Sequence, residues 1–163
     1  MKQPPDLTLA LAAAAGLLFI APAFAATHDT GALHIGHAWI STPPNGAPTA
    51  AGYLTVANHG RTADRLLGGT SPLAGSIEPH SMSMAGGVMR MRLLPNGFGI
   101  APGATLTLAP GGDHLMLIGP KRAFKAGDHV PATLRFAHAG AVEVDFTVQT
   151  GAEKMSMPGM NMR

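Results

Sequence analysis

Glycine and proline interrupt this chain about every ten residues from residue 30 onward, 21 glycines and 14 prolines in 163 residues. Both disfavour the interior of a regular helix. No stretch beyond the first twenty-five residues keeps a helical period over eleven or more positions. Between the breaks lie short runs of strand character: 33–40, 52–58, 64–70, 74–82, 88–94, 105–108, 114–118, 130–138 and 142–150. Turn chemistry separates them, at Pro43-Pro44-Asn45-Gly46, Asn58-His59-Gly60, Pro95-Asn96-Gly97, Pro110-Gly111-Gly112 and Ala126-Gly127-Asp128. Many short strands with frequent turns predict an all-β fold, an antiparallel Greek-key sandwich or barrel.

The chain begins differently. Lys2 precedes an almost wholly apolar run from Leu7 to Ile20, and Ala23-Phe24-Ala25 follows Pro22. This is the pattern of a secretory signal peptide, residues 1–25, cut after Ala25. The run is short for a membrane span, which needs about 20 apolar residues. The expected mature protein is therefore periplasmic and not membrane-spanning. Residues 26–150 suit one domain, and 151–163, with Pro158-Gly159, read as a flexible methionine-rich tail.

Composition removes several functions. There is no cysteine, hence no disulfide, no thiolate nucleophile and no blue-copper site, which requires a cysteine sulfur. The net charge is +2 and the basic residues are scattered, so no nucleic-acid stripe exists. Nothing in the chain indicates an enzyme.

Methionine placement is the positive clue. Met82, Met84, Met89 and Met91 crowd one short stretch, Met155, Met157, Met160 and Met162 crowd the tail, and Met116 stands alone. Methionine used as core filler scatters over all strands. Here the other strands use leucine, isoleucine and valine. Thioethers are soft, neutral donors that select Cu(I). Histidine joins them twice. His114 and Met116 lie two apart, on one strand face. His80 shares a face with Met82. A hairpin around Ala85-Gly86-Gly87 brings His80 and Met91 together across the ladder, and a third strand adds His114 and Met116. The predicted core site is thus His80, Met91, His114 and Met116, two imidazoles and two thioethers for Cu(I). His59, His129 and His138, without soft neighbours, read as surface histidines, and Trp39 as a core anchor.

These residues carry a resemblance. His80, ten residues, Met91, then a spacer of twenty-two and His114-Leu115-Met116 closely resemble the motif of the periplasmic copper chaperone family PCuAC. The spacer is one residue longer than is usual, which the Pro95-Asn96-Gly97 turn can absorb. The stretches His34-Ile35-Gly36-His37-Ala38-Trp39 and Leu117–Arg122 also look like the family. The resemblance implies a cupredoxin-like sandwich, Cu(I) at the four matched residues, and delivery to a copper-accepting protein in cytochrome c oxidase assembly. Copper sequestration shares every ligand with delivery, whereas a non-metal β-sandwich interaction module leaves the methionines unexplained. Two further roles are expected: the tail methionines gather a second copper or speed transfer, and His28 takes Cu(II). Cleavage after Ala25 places His28 third, where amine, two backbone amides and imidazole make a square plane that suits Cu(II).

Overall fold

The computed structural model describes residues 28–29 and 31–150; residues 1–27, 30 and 151–163 lie outside them. Eleven strands form: β1 (His28–Asp29), β2 (Leu33–Ser41), β3 (Thr49–Asn58), β4 (Asp64–Ser71), β5 (Ala74–Ala85), β6 (Val88–Leu93), β7 (Phe98–Ile100), β8 (Thr105–Thr107), β9 (His114–Ile118), β10 (His129–Phe136) and β11 (Gly140–Gln149). Among the described residues there is no helix.

The fold is all-β, as expected. Seven strands close a ring in the order β2-β11-β10-β4-β5-β9-β3 and back to β2. The ring joins sequence-distant strands, the Greek-key character of the barrel. Its pairings are antiparallel except for β11 on β2, which is parallel, with Thr147 beside Trp39 and Gln149 beside Ser41. The remaining strands hang on this ring: β1 on β2, β6 on β5, β7 on β4 and β8 on β3.

Alternation fills the core. On β10 and β11 every second residue points inward, Val130, Ala132, Leu134 and Phe136 against Val142, Val144, Phe146 and Val148. Leu33, Ile35, Leu54, Val56, Leu66, Ile77, Leu115 and Leu117 complete it from the other strands. Among the described residues, the one buried side-chain amide is satisfied: Asn58 donates to the carbonyls of Thr62 and Ile100 and accepts from the Gly60 N–H.

A bulge in β2 decides what the barrel's outer face carries. Gly36 faces Thr55 but Trp39 faces Tyr53, so β2 holds one residue more than β3 there. His37, at φ 51°, takes the left-handed conformation that absorbs it. Inward positions are odd before the bulge (Leu33, Ile35) and even after it (Ile40). Trp39 is therefore turned out. It is buried, but against Tyr53, at a ring-centroid distance of 4.5 Å, and not in the central core. Trp39 is thus a buried anchor, as expected, but on the outer side of the sheet and paired with Tyr53.

Candidate metal centre

The strand β5 has two halves with different neighbours. From Ser76 to His80 it pairs with β9, and from His80 to Ala85 it pairs with β6. Beyond His80 the β5–β6 hairpin leaves the barrel. Its turn is Gly86-Gly87, both at positive φ (59° and 77°), the geometry a two-residue hairpin turn demands. His80 sits where the hairpin departs.

Directly paired residues share a face of an antiparallel ladder. His80 faces His114, and Glu78 faces Met116. Met116 in turn faces Ala51 on β3. Their neighbours Ile77, Leu115 and Leu117 point the other way, into the core. His80, His114 and Met116 therefore stand together on the outer face. The imidazole centroids of His80 and His114 are 6.0 Å apart, nearly stacked. Tyr53, two residues from Ala51, lies 6.4 Å from His114. Burial pushes the Tyr53 hydroxyl pKa up, so it stays a neutral phenol beside the site.

Met91 comes from the hairpin. Its direct partner is Met82, while His80 faces Leu93. The expected approach of His80 to Met91 is thus diagonal, about 7–8 Å between backbones, within reach of a long side chain. Met91, His114 and Met116 line one open cleft of about 350 Å³, together with Met82, Tyr53 and the 41–44 segment. His80 adjoins this cleft through His114 without lining it. His114 is 3% exposed and Met116 9%, whereas Met91 is 51% exposed. The four residues span the distance from core to solvent.

Hydrogen bonds fix both imidazoles. The Nδ1–H of His114 donates to the Gly112 carbonyl at 3.0 Å, which leaves Nε2 as the lone-pair nitrogen. The Nε2–H of His80 donates to Glu78 Oε2 at 3.3 Å. Its Nδ1 is buried with no hydrogen-bond partner. An orphaned buried nitrogen is costly unless something occupies it. Two lone pairs on imidazole nitrogens and two or three thioethers fit a soft monovalent ion. Glu78, Tyr53, Met82 and the Gly112 carbonyl were not singled out as site residues from sequence. Glu78 and Met82 were legible, each two residues from His80 and so on its face.

The other expected donors fall elsewhere. His59, His129 and His138 are exposed, and His129 pairs with Asp145 at 2.7 Å. His28 is placed by its backbone alone, opposite Ile35. Met155, Met157, Met160 and Met162 lie outside the described residues.

Known proteins share this fold. Residues 33–148 match the family described as "Putative lipoprotein LpqE-like". A "Putative lipoprotein" of Leifsonia xyli subsp. xyli is 34% identical over 117 residues, 72% of this chain and 69% of its own length. The copper-bound PCuAC domain from PmoF2 superposes with a TM-score of 0.65 at 27% identity, over 77% of this chain and 98% of that domain. The solution structure of CuI-DR1885 from Deinococcus radiodurans gives 0.57 at 34%, over 72% and 77%. The chain thus belongs to the LpqE-like family and has the fold of the PCuAC domains.

Proposed function

We propose that this protein is a copper chaperone that binds Cu(I) through His80, Met91, His114 and Met116 and hands it to an acceptor. The observation that carries the reading is the pair of fixed imidazoles, one with an orphaned nitrogen, beside a cleft lined by thioethers. The likeness to a copper-bound PCuAC domain and to a CuI form supports it. All four donors are neutral, which suits Cu(I) over Cu(II) and over hard cations.

Graded exposure favours delivery over storage. Met91 is half exposed while His114 and Met116 are buried. An acceptor's thiol or thioether can displace Met91 first, and the buried donors release last. The protein itself performs no catalysis. In this reading residues 1–25 direct export to the periplasm, 26–150 form the copper domain, and the acceptor belongs to cytochrome c oxidase assembly. The tail methionines gather a second ion, and His28 takes Cu(II) once the amino terminus is freed.

The test is anaerobic Cu(I) titration against a chromophoric chelator, with His80→Ala and His114→Ala variants. Each variant loses tight Cu(I) binding and keeps its fold. Copper transfer to a copper-free oxidase fragment then separates delivery from sequestration. Retention of copper in its presence makes the protein a store. Unaltered Cu(I) binding in both variants removes the site.

A further inference from the structure

The β5–β6 hairpin carries more thioethers than the cleft uses. Its register is Met82 opposite Met91 and Met84 opposite Met89. All four side chains lie on the face that also holds His80. The opposite face carries Ser81 with Arg92 and Ser83 with Arg90. The hairpin is therefore two-sided, sulfur on one face and charge on the other.

These methionines do not fill a core. Met84 is 72% exposed, Met89 52% and Met91 51%. An exposed position gains nothing from methionine over a polar residue, and the sheet pairing holds without it. Exposure falls along the row, from Met84 at the tip through the Met82–Met91 pair to the buried Met116. Successive pairs on one strand face are about 7 Å apart. The row ends in the cleft, because Met82 and Met91 line it with His114 and Met116.

We propose that Met84 and Met89 form a second Cu(I) site, which captures the ion at the hairpin tip. The Met82–Met91 pair then passes it inward to the His80/His114 cleft. This rests on the Cu(I) reading of the cleft, and it assigns the hairpin a role that reading does not need. Directly opposed strand residues have Cβ atoms about 4.5–5.5 Å apart. Two thioether arms across that gap can close on one soft ion. Transfer changes neither charge nor oxidation state, since every donor, thioether or imidazole, is neutral and the ion stays Cu(I). A pair of thioethers binds more weakly than a mixed imidazole and thioether set, so the ion flows from tip to cleft. Arg90 and Arg92, on the far face, keep other cations from lingering on the hairpin.

The experiment uses the full chain with ¹³C-labelled methionine methyl groups, and Ag(I) as a redox-inert stand-in for Cu(I). Each methyl resonance is assigned by single Met→Leu substitution. The first equivalent moves Met91 and Met116. The second moves Met84 and Met89 together, with Met82. The double variant Met84→Leu/Met89→Leu keeps the first step, loses the second, and loads the cleft more slowly from dilute Ag(I). Trp39 fluorescence checks that the variant remains folded. Met84 and Met89 methyls unmoved through several equivalents overturn the proposal. So does a row that shifts only when an acceptor protein is added, which makes the hairpin a docking face. Shifts at Met84 and Met89 with Met116 silent retain the hairpin site and remove the cleft reading instead.

Discussion

Replacing Glu78 with alanine separates orientation from stability at the candidate metal centre. Glu78 accepts the Nε2–H of His80 at 3.3 Å, and its other oxygen accepts the Ser76 hydroxyl at 3.2 Å. Neutral imidazole has two tautomers. The carboxylate holds the hydrogen on Nε2 and leaves Nδ1 as the donor. Without Glu78 the ring divides between tautomers and rotates more freely. Outer-shell partners of metal-binding imidazoles are worth roughly 10–100-fold in affinity, or about 1.4–2.7 kcal/mol. The contribution to folding is smaller. The Glu78 side chain is 39% exposed and that of His80 15%, and such a half-wet pair contributes about 0–1 kcal/mol. Glu78→Ala should therefore weaken Cu(I) binding by roughly one to two orders of magnitude, while the melting temperature of the metal-free protein moves by less than about 6 °C. Chelator competition gives the first quantity and thermal unfolding the second. Glu78→Gln, which retains an accepting oxygen, should fall between. Unchanged affinity in Glu78→Ala refutes the orienting role. A loss of apo-protein stability as large as the loss of affinity refutes it too, since Glu78 would then be acting on the fold.

Three other outcomes follow from the same structure. Met91→Leu with Met116→Leu should cost the fold less than about 1.5 kcal/mol, because the volumes match, yet abolish tight Cu(I) binding in the chelator assay. Gly97→Ala should destabilise by about 3 kcal/mol or more in urea unfolding, since Gly97 has a φ of 67° and an added Cβ would land on the Leu66 carbonyl; a loss under about 0.5 kcal/mol, typical of a surface site, contradicts that crowding. Burial pushes the Asp64 carboxyl pKa up, but N–H groups of His138, Arg65 and Ala139 outweigh it and hold the value below normal. The stabilisation it gives is present above the unfolded carboxyl pKa of about 3.9 and is lost as pH falls through the lower folded value. Asp64→Asn should therefore be less stable at neutral pH and flatter on the acid limb, measured as urea midpoint against pH.

Much of this was legible in the sequence because its signals are local. Alternation and turn residues mark β2 to β6 and β8 to β11 within a few residues of their bounds. The short strands β1 and β7 are missed, whereas β8, as short as β7, is marked by the Pro110-Gly111-Gly112 turn that follows it. The bulge at His37 leaves Gly36 as its trace in the sequence, but that it turns Trp39 to the outer side of the sheet is fixed only by the β2–β3 register. In the candidate site, Gly86-Gly87 already dictates Met82 opposite Met91. The pairing of His80 with His114 joins strands more than thirty residues apart in sequence, and no local pattern fixes such a register. The carboxylate of Glu78 was visible as a charge two residues before His80, but its bond to the ring is a matter of side-chain direction.

The parallel seam between β2 and β11 has a consequence for how the chain is made. The ring's first strand meets its last, and the Gln149 carbonyl accepts both the N–H and the hydroxyl of Thr42. Until residue 149 has emerged, a growing chain holds β2 with the 39–41 stretch of one edge unpaired. Such long-range closure is slow and comes late. A polypeptide that cannot finish its barrel during synthesis stays open along this seam until its last strand is made. The same seam sets the limit of permissible shortening: trimming to residue 150 spares it, whereas loss of 145–149 opens two strand edges at once and invites chains to pair with each other.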